Sequence, residues 1–252
     1  MDIFVLNLER SKERKERMIQ MFESFGIKNY EFITGTDYRD FNSFECLEKH
    51  AKSLGINSDK AEFKDLVPVC VSQSQAMDKL SKLDEYFIYM EDDVDLLHDV
   101  RKIEEEFMKI RHLNPDVVHL LSFNRPWHGI REEKSRLFKC DSRVADTRSL
   151  ANIYSPDFAR VLSKEVSSKC IPLDTIQAHI PYVDSFFAYP YMALENETCL
   201  ESLLGEDNMM RFFFKKKYLS EQRTEQHDNL SKVDKTDGKE VKITSEGKPQ
   251  LA

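Results

Sequence analysis

The chain has 252 residues, with 37 Lys and Arg against 45 Asp and Glu, for a formal charge of −8. That acidic balance argues against sequence-independent nucleic-acid binding, which needs a basic footprint. Only seven glycines occur, and their scatter excludes a G-x-G-x-x-G dinucleotide loop, a P-loop and a G-x-S-x-G elbow, so a nucleotide held here is not cradled by glycine amides.

In chain order, Ile3-Phe4-Val5-Leu6 predicts a short buried strand. A helix follows, with Ser11 as its N-cap. Met18, Met21, Phe22 and Phe25 form one apolar stripe at i, i+3, i+4 and i+7, and Gly26 stands at the expected C′ position. Tyr30-Glu31-Phe32-Ile33 is a second strand, so the opening reads β–α–β and implies a parallel pair. Residues 40–67 suggest short helices. A helix is expected over Ser72–Leu83, then a strand at Tyr86-Phe87-Ile88-Tyr89-Met90 that ends in Glu91-Asp92-Asp93-Val94-Asp95. Val100, Ile103, Phe107 and Ile110 mark the next helix, and residues 116–123 another buried strand. The stretch from Asn124 to Arg148 reads as loop, with strands near Leu137 and Val144. Ala151–Tyr154 is a strand, Ser155-Pro156 opens a helix with Phe158, Val161 and Leu162 inward, and Ser185–Tyr189 is a late strand closed by Pro190.

Strands alternating with helices predict an α/β fold with a mostly parallel central sheet flanked by helices. The expected division is one domain over 1–220 and a polar, disordered tail over 221–252, where apolar residues are too few to fold alone. The five cysteines are widely spaced with no C-x-x-C, which suits a reduced, cytoplasmic setting. No signal peptide or membrane span is expected.

Four carboxylates in five residues, Glu91, Asp92, Asp93 and Asp95, repel one another at the end of a buried strand. Two readings fit. A hard divalent cation, Mn²⁺ or Mg²⁺, would offset them and could bridge a diphosphate, with carboxylates of the cluster, Asp95 included, as oxygen ligands. Alternatively they form a solvated acidic loop that caps the helix near Asp99. In open α/β sheets ligands sit outside the carboxyl ends of strands, and Asn7–Ser11 and Glu91–Asp95 both occupy such ends.

Ile3-Phe4-Val5-Leu6-Asn7-Leu8-Glu9-Arg10-Ser11, continuing to Arg14, Arg17 and Met18, resembles the opening of glycosyltransferase family 25, which includes lipooligosaccharide and collagen-type galactosyltransferases. Phe32–Asp37 looks like the family's A-V-D-G turn, Ile88–Val94 like its I-L-E-D-D-V core, Ile171-Pro172-Leu173-Asp174 like its P-V-D element, and Ala188-Tyr189-Pro190 like the following strand end. The resemblance spans roughly residues 3 to 200 in the right order. It implies a GT-A-like single domain and inverting transfer of a hexose, galactose by analogy, from a UDP-linked donor to a glycan or lipid-linked glycan acceptor. By the same resemblance Asp93 meets the metal, Glu91 and Asp92 contact the donor, Asn7 and Arg10 line the nucleotide pocket, and Asp174 is the base. Asp174 equally fits a helix N-cap before Ile176. Where the family carries Gly-Cys-x-x-Ser-His, this chain has Val69–Gln75, with Ser74-Gln75 in place of Ser-His. Gln75 can donate a hydrogen bond to the donor but cannot carry a proton.

Other features divide between two roles. Arg14 and Arg17 could face phosphates or lie solvated on a charged helix. Trp127 could stack on a sugar or plug a core edge. The aromatic-then-basic run over 209–217 could touch an anionic membrane at its inner face, or end a packed helix. The competing functions are a non-catalytic sugar-nucleotide or glycan-binding module, and a metal-dependent nucleotidyl- or phosphotransferase.

Overall fold

The computed structural model describes residues 1–121, 129–132, 135–141, 150–189, 192–195, 241–243 and 249–251. The expected strand near Val144, Trp127 and the 209–217 run lie outside them. The chain divides into two units, Met1–Leu200 and Glu201–Ala252.

The first unit opens with β1 (Asp2–Asn7), α1 (Lys12–Ser24) and β2 (Tyr30–Thr34). Ser11 flanks α1 without a side-chain cap bond. At the other end Gly26 takes φ +68°. The Ile27 amide donates to Phe22 O at 2.8 Å and the Gly26 amide to Glu23 O at 3.0 Å, the paired bonds of a Schellman stop. Helices α2 (Phe44–Ser53) and α3 (Val67–Leu80) precede β3 (Phe87–Glu91). Helix α3 begins five residues before the expected Ser72, because Pro68 sits in its first turn with φ already helical. Then follow β4 (Val94–Leu96), α4 (Val100–Ile110), β5 (Val117–His119), β6 (Ile130–Arg131), β7 (Leu137–Asp141) and β8 (Ala151–Tyr154). Helices α5 (Pro156–Lys169) and α6 (Leu173–Ile176) and strands β9 (Asp184–Ala188) and β10 (Ala193–Glu195) complete the unit. Ser155 caps α5 by accepting from the Phe158 amide at 3.1 Å.

Eight strands form one sheet in the order β2-β1-β3-β8-β5-β9-β7-β6. The sheet is mixed, which corrects the mostly parallel expectation. Strands β1, β2 and β3 are parallel neighbours, but β8 lies antiparallel between β3 and β5, and β7 antiparallel to β9. The reason is the connection after β5. Among the described residues between β5 and β8 there is no helix but only the β6–β7 hairpin, and a strand returning from a hairpin is free to enter antiparallel. A separate pair, β4 with β10, is antiparallel.

Each sheet face carries its own core. Ile3, Val5, Ile88 and Met90 pack with Met18 and Phe22 of α1 and Ile103 and Phe107 of α4. Phe4, Phe87 and Tyr89 face α2, α3 and α5 with Leu47, Val71, Met77 and Leu162. A strand covered on both sides reads as a continuous apolar run rather than an alternating one, as β3 does. Helices α3 and α5 approach closely through serines: Ser74 and Ser167 hydroxyls are 2.5 Å apart, and Ser163 Oγ donates to Ser74 O at 3.1 Å. Val161, expected inward, is 41% exposed. The stripe of Phe158, Ala159, Leu162 and Val166 faces the core, and Val161 lies roughly a third of a turn from its centre.

Gly129 meets the β7–β9 pair at a close approach. A Cβ there would stand 2.5 Å from the Lys139 carbonyl oxygen and 2.9 Å from the Phe187 ring. Among the described residues Cys46, Cys70, Cys140 and Cys170 are free thiols, and no helix is long and apolar enough to cross a membrane. In the second unit, β11 (Val241–Ile243) pairs antiparallel with β12 (Pro249–Leu251).

Candidate functional site

Three parallel strands end side by side. Asn7 closes β1, Thr34 closes β2 and Glu91 closes β3, with Asn7 in register with Thr34 and Leu6 with Glu91. Strand periodicity then sets which groups meet. Glu91 follows Phe87 and Tyr89 on the α3 face, and Asp92 begins the turn into β4 beside α1.

Asn7 is 6% exposed and Asp92 7%. Asn7 Nδ2 donates to Asp92 Oδ2 at 2.7 Å, and Arg14 Nη1 donates to Asp92 Oδ1 at 3.0 Å. Arg17 Nη2 donates to the Asp92 carbonyl at 2.7 Å, and its Nη1 reaches Asp95 and the Val94 carbonyl. Arg10 pairs with Asp37 just past β2, whose carboxylate also accepts from the Arg39 amide at 3.0 Å. Arg10, Arg14 and Arg17 follow at i, i+4 and i+7, so one helical face, beginning in the turn before α1, presents three guanidiniums to the strand ends. This resolves the reading of Arg14 and Arg17. Their side chains are 18% and 22% exposed and belong to the acidic cluster rather than to solvent.

Two of the four acids, Asp92 and Asp95, are therefore offset from within the fold. Asp95, expected to ligate a metal, is ion-paired with Arg17. Asp93 is half-buried in the β3–β4 turn. Among the described residues no group of three or more His, Cys, Asp or Glu is arranged to hold a metal ion. Arg10, Arg14 and Arg17 pair with Asp37, Asp92 and Asp95, while Glu91 at the end of β3 and Asp93 in the turn after it add two further carboxylates. A hard cation here would need an oxygen-rich ligand to complete its shell, since the described residues alone make no closed site. The acids are felt below: burial first, then Glu91, Tyr154, Asp92 and Asp93, push the Tyr89 phenol well above its ordinary range.

The expected donor contact Gln75 is exposed on α3. Its neighbour Gln73 takes the inward place, with Nε2 donating to Glu91 Oε1 at 3.2 Å. Residues two apart on a helix point to opposite sides, so one helical face cannot carry both. The glutamine that meets Glu91 is thus Gln73 and not the Gln75 of the Ser-Gln pair. Gln73 left only a weak trace in the sequence, as a polar residue within a helix of Cys70, Val71, Ala76 and Met77.

Asp174 is exposed in the first turn of α6, whose N-cap is Pro172. It is not the cap. The turn before it reaches the cluster through Gln73, whose Oε1 accepts from the Leu173 amide at 2.8 Å. A cavity of about 490 Å³ lies elsewhere, lined by Asp116 before β5, by Phe158 and Val161 of α5, and by Tyr182 and Val183 before β9. None of the expected site residues lines it.

No protein-family model matches the chain, and no curated protein matches it at a significant level.

Proposed function

We propose that the chain is an inverting glycosyltransferase of GT-A-like architecture. In this reading it moves a hexose, galactose by analogy, from a UDP-linked donor to a glycan or lipid-linked glycan acceptor at the cytoplasmic face of a membrane. The observation that carries it is the convergence of Asn7, Arg10, Asp37, Glu91 and Asp92 at adjacent strand ends, in the crevice where α/β folds hold ligands.

Asn7 and Arg14 orient Asp92, so that a carboxylate already fixed in place meets the donor's hydroxyls. Glu91 is held by Gln73 for the same use. Asp93 and Asp95 would hold Mn²⁺ or Mg²⁺ together with donor oxygens. Such an ion supplies Lewis-acid neutralisation of a departing diphosphate. In the displacement the acceptor oxygen bonds to the anomeric carbon, the bond from that carbon to the diphosphate breaks, and the nucleoside diphosphate leaves. The acceptor proton passes to the Asp174 carboxylate, a transfer worth about 10²–10⁴-fold in rate.

The test is a panel of nucleotide sugars with Mn²⁺, using wild type, Asp93→Ala and Asp174→Asn. The expected result is turnover of one donor, lost by about 100-fold or more in both variants. Full activity in Asp93→Ala removes the metal assignment, and full activity in Asp174→Asn removes the base. Donor binding without turnover on a broad acceptor panel favours the non-catalytic module. Release of pyrophosphate from nucleoside triphosphates favours a nucleotidyltransferase.

A further inference from the structure

Gln73 is 3% exposed and joins two segments that are far apart in sequence. Its Oε1 accepts the Leu173 amide at 2.8 Å and its Nε2 donates to Glu91 Oε1 at 3.2 Å. The assignment is forced from one side, because a backbone N–H can only donate. The amide nitrogen must then face Glu91, which accepts as a carboxylate. Among neutral side chains only a carboxamide offers an acceptor and two donors in this fixed fork, and glutamine has the reach.

Beyond Leu173 the bonds continue through buried groups. Gln177 Nε2 donates to Leu173 O at 3.0 Å. Asn152 Nδ2 donates to Tyr154 Oη at 2.9 Å. Asn152 Oδ1 is then left to accept from His119 Nδ1 at 2.8 Å, which places the imidazole proton on Nδ1. The residues contributed by β5 and β8 are 0% exposed. Buried polar groups of this kind order a segment only when each finds its partner. The α6 turn is thus joined to Glu91 through the two bonds of the Gln73 carboxamide.

We infer that Gln73 is a positioning residue that couples Glu91 at the end of β3 to the Leu173–Asp174 turn, setting the base relative to the donor carboxylate. The role given to Asp174 rests on the glycosyltransfer reading; the mechanical coupling does not. Gln73→Met removes both bonds. Gln73→Glu keeps an acceptor for the Leu173 amide but sets a second carboxylate against Glu91, and that repulsion is relieved when one shared proton binds.

Two readouts test it. Amide exchange over residues 172–177 is measured in wild type, Gln73→Met and Glu91→Ala. The Leu173 amide is expected to exchange about tenfold faster or more in Gln73→Met, and to loosen in Glu91→Ala, whose side chain holds the other end of Gln73. The rate of transfer is then followed against pH. Gln73→Met is expected to lose about 100-fold in kcat, as a slightly misplaced group does, while Gln73→Glu recovers towards wild type as the pH is lowered. Unchanged exchange in Gln73→Met, or a Gln73→Glu profile parallel to wild type, overturns the coupling. If Gln73→Met does not fold, Gln73→Glu and Glu91→Ala carry both measurements. If wild type turns over no nucleotide sugar, the glycosyltransfer reading fails and the exchange result alone decides the coupling.

Discussion

Asn7 and Asp92, 85 residues apart, share a buried 2.7 Å hydrogen bond that ties the end of β1 to the turn after β3. Both are polar residues in a nearly water-free position, and Arg14 completes the set from α1. A buried carboxylate of this kind is tolerated only because a guanidinium and an amide supply what water would.

Removing either partner should therefore be costly in itself, before any question of activity. Asp92→Ala removes the carboxylate that accepts from both Arg14 and Asn7 and is expected to lose about 3–5 kcal/mol of stability. Asn7→Ala removes one bond to a charged acceptor and should lose about 2 kcal/mol. Urea unfolding of the two variants measures both. A loss under about 0.5 kcal/mol for Asp92→Ala would show that the charge is solvated, as surface pairs are.

Gly129 offers a test of packing rather than charge. A methyl group added there would sit 2.5 Å from the Lys139 carbonyl oxygen and 2.9 Å from the Phe187 ring. The obstacle includes backbone, so relief requires β7 to shift. Gly129→Ala is expected to lose about 2–3 kcal/mol, whereas Gly26→Ala should act through its φ of +68° with nothing to collide with. Thermal melts of the two variants, followed by a structure of the more stable one, separate steric overlap from backbone strain.

His98 makes the fold sensitive to mild acid. Burial first, then the nearby Lys102 and Arg136, hold its imidazole below its ordinary value of 6.5, and its buried Nε2 has no partner among the described residues. The unfolded chain therefore takes up a proton at a higher pH than the folded one. Stability from this group is complete above 6.5 and is lost as the pH falls through 6.5 towards the lower folded value. Melting temperature measured from pH 7.5 downward should decline less steeply in His98→Gln than in wild type over that window. Parallel curves would mean that His98 titrates alike in both states.

Much of the local structure was legible because local rules govern it. The Gly26 stop, the Ser155 cap and the buried β3 run each follow from a few adjacent residues, and each is found where expected. The mixed sheet was not legible, since a helix between two strands permits either direction and the decisive hairpin at β6–β7 carries a weak signal. The glutamine that meets Glu91 was missed for a related reason. Helical spacing says that Gln73 and Gln75 oppose each other, but only the approach of α3 to β3 decides which one turns inward.

The sequence by itself determined that no glycine loop holds a ligand and that four acids crowd the end of one strand. It also set a three-arginine face at helical spacing. Only the tertiary structure decided that these two features meet. Arg14 reaches Asp92, and Arg17 reaches Asp95, so two of the four acids are offset by the fold itself. The physical reason is range: repulsion among neighbouring acids follows from their order in the chain, whereas the partner that relieves it comes from a helix some 75 residues away.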